Sequence, residues 1–194
     1  DTGNYENIYE EQVLKHDEGQ LYKVIRIDED KYTGYISVIY EPSRLSLAMA
    51  KSKYGDTITT FAQNNKAMVA VNGGGYKRYS NNVIYSKGIV IQNGKIIKDS
   101  GNSSNIIGMT SDGILMLIKA TAKEAVAQGI DWAVMFKPFL IVNGVQTIFK
   151  GNGGYGVQPR TAIGQRADGI VLLVTIDGRG ADGSSGISMP DLMA

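Results

Sequence analysis

Nothing in this chain restricts the fold more than the run from Ile170 to Ile176, IVLLVTI, in which only Thr175 is polar. An apolar run of that length without alternation predicts a strand in the middle of a sheet with both faces covered. The preceding Arg166-Ala167-Asp168-Gly169 is turn chemistry, and before it Thr161 to Gln165 predicts a partner strand, so the two form a tight hairpin. A strand buried on both faces leaves only its ends for chemistry. Where the apolar run stops the sequence becomes Asp177-Gly178-Arg179, and the partner strand begins with Pro159-Arg160-Thr161.

Antiparallel pairing brings the end of one strand beside the start of the other. Arg160 and Thr161 are therefore expected near Asp177 and Arg179, with two guanidinium groups and a carboxylate at one sheet edge. Arginine presents a planar fork of donors that fits phosphate or carboxylate, and a flanking carboxylate can move a proton or attack an electrophilic carbon. The plainer alternative is an Asp-Arg pair that closes a loop.

Composition narrows the chemistry. Lys plus Arg is 20 against 19 Asp plus Glu, and no long basic run appears, so nucleic acid is not an expected partner. The absence of cysteine removes a thiol nucleophile, a disulfide framework and Cys-ligated zinc. The one histidine, His16, stands in a charged segment and reads as a surface residue, which argues against a Ser-His-Asp triad. No run approaches the roughly 18 apolar residues of a spanning helix. The polar opening DTGNYENIYEEQ reads as a mature or recombinant boundary.

Residues 1–20 read as a poorly ordered polar extension, followed by a strand over Leu21 to Asp28; together they make an N-terminal segment 1–33 ahead of a domain 34–194. GYISVIYEPS predicts a second strand ended by Pro42. Gly55-Asp56-Thr57 offers a cap to a short amphipathic helix bearing Ile58, Phe61 and Ala62. Ala67 to Asn72 is a short apolar run that breaks at Gly73-Gly74-Gly75-Tyr76. Such a glycine run calls for positive φ or close backbone approach. It reads as a plain turn, or as a pocket in which Asn72 presents its amide, Gly73 and Gly74 make room for a sugar or phosphate, and Tyr76 offers a stacking face.

KGIVIQNGKIIK is a hairpin turning at Asn93-Gly94, and Ile106–Met109 with Ile114–Lys119 forms another. Thr121 and Glu124 form a capping box before a helix with an apolar face. AVMFKPFLIVNGVQTIF predicts a strand, a bend at Pro138 and a hairpin at Asn143-Gly144; Trp132, just before it, reads as core. Gly151 to Gly156 matches G-x-G-x-x-G, but a strand rather than a helix follows, so it reads as a mobile loop beside Arg160 and not a dinucleotide site. Ser188 caps a final helix with Pro190 in its first turn.

NGGGY at 72–76, the KGIVIQNGKI hairpin, FKPFLIVNG at 136–144, PRTAIGQRADG at 159–169 and IDGR followed by SSG occur in an order that resembles the phosphodiester glycosidase domain. This is the family of the mannose 6-phosphate uncovering enzyme and of bacterial relatives connected with exopolysaccharide biosynthesis. The resemblance spans roughly residues 34–194 and implies an α+β fold, a mixed, mostly antiparallel sheet core with a few short helices packed on it. Family members commonly carry glycine where this chain has Lys137, and Phe where it has Tyr76. They also continue into a strand with a D-G-G-G-S type motif that this sequence does not contain, which reads as a missing C-terminal segment or a separate second fragment.

The implied activity is hydrolysis of a sugar 1-phosphodiester, N-acetylglucosamine-1-phosphodiester glycosidase-like, in cell-envelope or exopolysaccharide metabolism. Extracellular or envelope-associated localisation is expected, with a membrane tether possible only outside these residues. Arg160 and Arg179 are expected to hold the phosphate and Asp177 to act as nucleophile or base. Asn72, Gly73 and Gly74 would hold sugar hydroxyls. Tyr76, Thr161, Ser184, Ser185 and Lys137 complete the substrate-binding candidates. Glycoside hydrolysis usually uses two carboxylates, and for the second Glu41, Asp112 and Asp182 are candidates beside the aspartate of the missing motif. No cofactor is expected; Ca²⁺ on Asp177, Asp182 and loop carbonyls is the metal alternative. Two competing readings are a non-enzymatic glycan-binding module and an exo-glycosidase acting on a glycan without phosphate.

Overall fold

The computed structural model describes residues 8–180 and 183–194. Along the chain, helix α1 (Ile8–Leu14) precedes strands β1 (Tyr22–Asp28) and β2 (Thr33–Ile39), a single 3-10 turn (Pro42–Arg44) and helix α2 (Ile58–Asn65). Strands β3 (Gly75–Arg78), β4 (Ile84–Lys87), β5 (Val90–Gln92), β6 (Lys95–Lys98), β7 (Ser104–Thr110) and β8 (Leu115–Ala120) lead to helix α3 (Ala122–Ala127). After it come β9 (Ile130–Met135), β10 (Ile141–Val142), β11 (Val145–Gln146), β12 (Arg160–Gln165), β13 (Val171–Ile176) and helix α4 (Met189–Met193). Every pairing among these strands is antiparallel, and the fold is α+β.

The chain divides into two compact units, residues 1–42 with 148–194, and residues 43–147. The first is a four-stranded sheet in the order β1-β2-β13-β12. The apolar run that dominates the sequence is a central strand here, flanked by β2 and β12, and the segment 170–176 has no exposed residue. One of its faces, Leu172, Val174 and Ile176, packs with Ile25, Ile27, Ile36 and Val38 beneath Tyr9 and Val13 of α1 and Leu192 of α4. On its other face Val171 and Leu173 are buried as well.

Residues 8–14 are helical rather than a loose extension. The segment is polar because α1 buries a single narrow stripe: Val13 enters the core and Tyr9 packs beside it. Its ends are tied by side chains. Arg166 in the β12–β13 turn reaches Glu10 at 3.3 Å and Asp168 at 3.0 Å, and Lys23 donates to the carbonyls of Gln12 and Lys15 at the far end. His16 is exposed and stacks on Tyr40 with ring centroids 4.0 Å apart.

The second unit holds the five-stranded sheet β6-β5-β9-β7-β8 and two small hairpins, β3-β4 and β10-β11. Ile89, Ile91, Ile106, Ile130 and Ala133 form its core, against which α3 places Ala122 and Ala125. The expected capping box is present, with the Thr121 side chain and Glu124 bonded reciprocally. Asn93 and Gly94 take φ of 51° and 67°, and Asn143 and Gly144 take 50° and 78°, the left-handed pair that a two-residue hairpin needs. Trp132 is 9% exposed and its indole N–H donates to the Leu45 carbonyl at 3.1 Å, so it is a core residue. The Ala67–Asn72 run enters no strand.

Candidate active site

The exit of β13 is fixed from the neighbouring strand. Gly34 pairs with Ile176, which brings Thr33 beside Asp177. The Asp177 N–H donates to the Thr33 carbonyl at 2.9 Å, and the Thr33 hydroxyl donates to Asp177 Oδ2 at 3.2 Å. Thr33 is 4% exposed, so its hydroxyl is a buried polar group with a single task. The other carboxylate oxygen, Oδ1, has no partner among the described residues. Asp177 itself is half-buried.

The loop beyond Asp177 returns to the sheet. Ser184, also 4% exposed, donates through its hydroxyl to the Asp177 carbonyl at 2.7 Å and accepts from the Gly186 N–H at 3.2 Å. The Ser185 N–H donates to the Lys31 carbonyl at 2.9 Å. Gln158 and Ile187 then form an isolated antiparallel bridge. Gly186 permits that close approach: it has φ of 85°, and a Cβ there would lie 2.5 Å from the Gln158 carbonyl carbon. Ser184 is therefore committed to holding the loop, while Ser185 remains exposed beside it.

Arg160 opens β12 opposite Ile176, one residue from Asp177, and Thr161 pairs with Thr175 behind it. The guanidinium is already engaged. Nη2 donates to the carbonyls of Tyr155 and Gly156 at 3.0 and 2.7 Å, and Nε to that of Ile187 at 3.4 Å. Of its five N–H groups, the two on Nη1 remain without a partner among the described residues. Arg160 thus pins the glycine-rich loop 151–156, which is followed by β12 and no helix, against the segment leading into α4. Arg179 is exposed, anchored through Nη2 to the Val157 carbonyl at 3.0 Å. Among the described residues neither arginine forms an ion pair with Asp177, so the alternative of an Asp-Arg pair closing the loop is not seen there.

The remaining candidates lie in residues 43–147. Asn72 and Gly73 are exposed. Gly74 has φ of 67° and runs against β9, where a Cβ would stand 3.3 Å from the Val134 side chain; this is the close approach the glycine run calls for. Lys137 leaves β9 just beyond, exposed and preceding a cis peptide to Pro138, so Gly74 and Lys137 flank the end of one strand. Tyr76, on β3 opposite Ser86, is 64% exposed.

The second carboxylate is narrowed by topology. Glu41 follows the other end of β2, eight residues of extended chain from Thr33 and so about 25 Å away, too far to share a reacting centre with Asp177. Asp112 sits in the β7–β8 turn and accepts from Thr110 Oγ1 at 2.5 Å. Asp182 lies outside the described residues. Among the described residues no group of three or more acidic or histidine side chains could hold a metal. Thr33 was not legible in the sequence as a site residue. The available signal was that any strand paired with β13 on its other side must start beside Asp177.

These features define an α+β fold with a carboxylate and two arginines gathered at one strand exit. The phosphodiester glycosidase family matches residues 65–194. The chain belongs to that family and is a phosphodiester glycosidase. A similar solved structure is the zebrafish N-acetylglucosamine-1-phosphodiester alpha-N-acetylglucosaminidase catalytic domain auto-inhibited by its pro-peptide, at 18% identity and a TM-score of 0.72. The match covers 92% of this chain and 68% of that one, and at this identity it speaks for the fold. No curated protein sequence matches the chain.

Proposed function

We propose that the protein hydrolyses the glycosidic bond of a sugar 1-phosphodiester, with N-acetylglucosamine as the sugar, in cell-envelope or exopolysaccharide metabolism outside the cytoplasm. The sugar is the one in the zebrafish relative's name; the setting rests on the resemblance to bacterial relatives connected with exopolysaccharide biosynthesis, and the cysteine-free chain is compatible with it. The observation that carries the reaction is Asp177, with Oδ2 pinned by Thr33 and Oδ1 without a partner among the described residues, at a strand exit that also bears Arg179 and lies beside Arg160.

Either Asp177 Oδ1 bonds to the anomeric carbon, giving a glycosyl ester that water then hydrolyses, or it removes a proton from a water that attacks that carbon. The C1–O bond breaks with its electron pair on the phosphate oxygen, and a phosphomonoester leaves. Because a phosphodiester is already a good leaving group, neutralising its charge matters more than protonating it. Arg179 and Arg160 supply that charge.

The test is hydrolysis of an N-acetylglucosamine 1-phosphodiester beside a phosphate-free aryl glycoside. Asp177→Asn should lower kcat by a factor on the order of 10³ or more, and Arg179→Ala should lower kcat/KM by a factor on the order of 10². Arg160→Lys keeps the charge while loosening the loop, so a smaller loss is expected there. Full turnover by Asp177→Asn, or preference for the phosphate-free glycoside, would overturn the assignment. Retention of anomeric configuration would make Asp177 the nucleophile, and inversion would make it the base.

A further inference from the structure

The β3–β4 hairpin carries a surface that the proposed chemistry does not use. Its register pairs Gly75 with Lys87 and Lys77 with Tyr85, so by strand alternation Lys77, Tyr79, Tyr85 and Lys87 share one face. Tyr79 and Tyr85 meet edge to face, centroids 5.2 Å apart, and remain 48% and 54% exposed. Lys77 Nζ stands 5.0 Å from the Tyr79 ring centre. The Lys87 stem lies over bare Gly75, within 3.6 Å of where a Cβ would be.

On the opposite face Ile84 turns inward, while Tyr76 and Arg78 stay exposed. Ile84 approaches Gly55, and its N–H donates to the Lys53 carbonyl at 2.8 Å, so the Lys53–Tyr54 segment flanks β4 and adds another exposed tyrosine with a lysine 5.1 Å from its ring centre. Residues 75–87 contain Lys77, Arg78 and Lys87 and no Asp or Glu. The nearby Asp56 turns Oδ2 away to the backbone N–H groups of Lys51 and Ser52. The hairpin therefore shows water a set of rigid amphipathic rings and cations that no acidic side chain of its own neutralises.

We propose that this face binds an anionic glycan chain, one whose sugars carry phosphate along the polymer, so that the enzyme holds a polymeric substrate rather than a free sugar phosphodiester. The argument is charge and shape complementarity. Tyrosine rings give flat apolar area with a polar tip at low entropy cost, suited to the faces of sugar rings. The lysines beside them meet the repeating negative charge. Nucleic acid would ask for a broader basic surface than a chain of net charge +1 offers. The choice of polymer rests on the phosphodiester glycosidase reading.

The experiment measures binding of the full chain to phosphomannan, with dephosphorylated mannan, a single-stranded oligonucleotide and anionic phospholipid vesicles as comparators, alongside hydrolysis of a small soluble sugar 1-phosphodiester. Phosphomannan should be preferred, and binding should weaken as salt rises. The Lys77→Gln/Lys87→Gln and Tyr79→Ala/Tyr85→Ala variants should each bind about 10-fold more weakly, with unchanged melting temperature and unchanged turnover of the small substrate. Unaltered binding by both variants, equal binding to neutral mannan, or preference for the oligonucleotide or the vesicles would overturn the proposal. Retained, hairpin-dependent phosphomannan binding in a protein that hydrolyses no phosphodiester would support this surface while sinking the hydrolytic reading.

Discussion

A carboxylate in a loop samples many rotamers, and one that must meet an anomeric carbon gains from having a single oxygen fixed. Thr33 supplies that restraint from inside the sheet, with its hydroxyl 3.2 Å from Asp177 Oδ2. Replacing it with valine keeps the shape and removes the donor. Thr33→Val should lower kcat roughly 10-fold with little change in KM and destabilise the fold by about 1 kcal/mol. Thr33→Ser should restore most of both, and a steady-state assay with a thermal melt decides. Three tyrosines give the pH dependence its sign. Burial, first among the causes, raises the phenol pKa of Tyr9, Tyr32 and Tyr40, and Glu29 adds to it at Tyr9 and Tyr32. Below an ordinary tyrosine pKa near 10 both folded and unfolded chains keep the proton. Above it the unfolded chain loses the proton first, so stability should fall as pH climbs through and beyond 10. Denaturant titrations at pH 8 and 10.5 should show a smaller drop in Tyr40→Phe than in the parent.

At the scale of elements, α1 shows what tertiary context adds. Seven residues form no stable helix in isolation, and this one persists because Val13 is buried against Ile25 and Val38 while Glu10 meets Arg166. Val13→Ala should cost about 2 kcal/mol, from the methyl groups removed and the space left. Glu10→Ala, breaking a partly exposed pair, should cost less than about 1 kcal/mol. Urea midpoints would rank the two, and the reverse ranking would mean that the ion pair, not the packing, holds α1. The same contrast explains what the sequence made legible. The turns at Asn93-Gly94 and Asn143-Gly144, the Thr121–Glu124 box and the Ser188 cap are decided by neighbours in the chain, and all are present. The placement of IVLLVTI in mid-sheet was readable from its uniform apolarity. What depended on distant pairing was not. Ile8, Tyr9, Val13 and Leu14 stand in an acidic stretch where only Val13 is buried, too little to read as a helical stripe; Ala67–Asn72 looks strand-like yet pairs with nothing in a sheet, and the three carbonyls that engage Arg160 come from segments whose meeting only the β12–β13 register fixes.

On the scale of the whole molecule, residues 43–147 interrupt the first sheet between β2 and β12, and the interruption has its own interior. Its core residues, Ile89 to Ala133, all come from within it, and so do both partners of the Trp132–Leu45 hydrogen bond. The outer unit is different: β2 must pair with β13, more than a hundred residues later, and cannot do so until the inserted chain has been gathered in. The fragment 43–147 should therefore fold alone, whereas 1–42 mixed with 148–194 should not assemble readily. Trp132 is the chain's one tryptophan, so its emission reports the inserted unit by itself. The isolated fragment should show the blue-shifted emission of the full chain and a cooperative melt. In the full chain, far-ultraviolet dichroism should begin to fall before tryptophan emission shifts if the outer sheet opens first. Coincident transitions, together with a fragment whose emission matches unfolded protein, would show that the inserted unit has no independent stability.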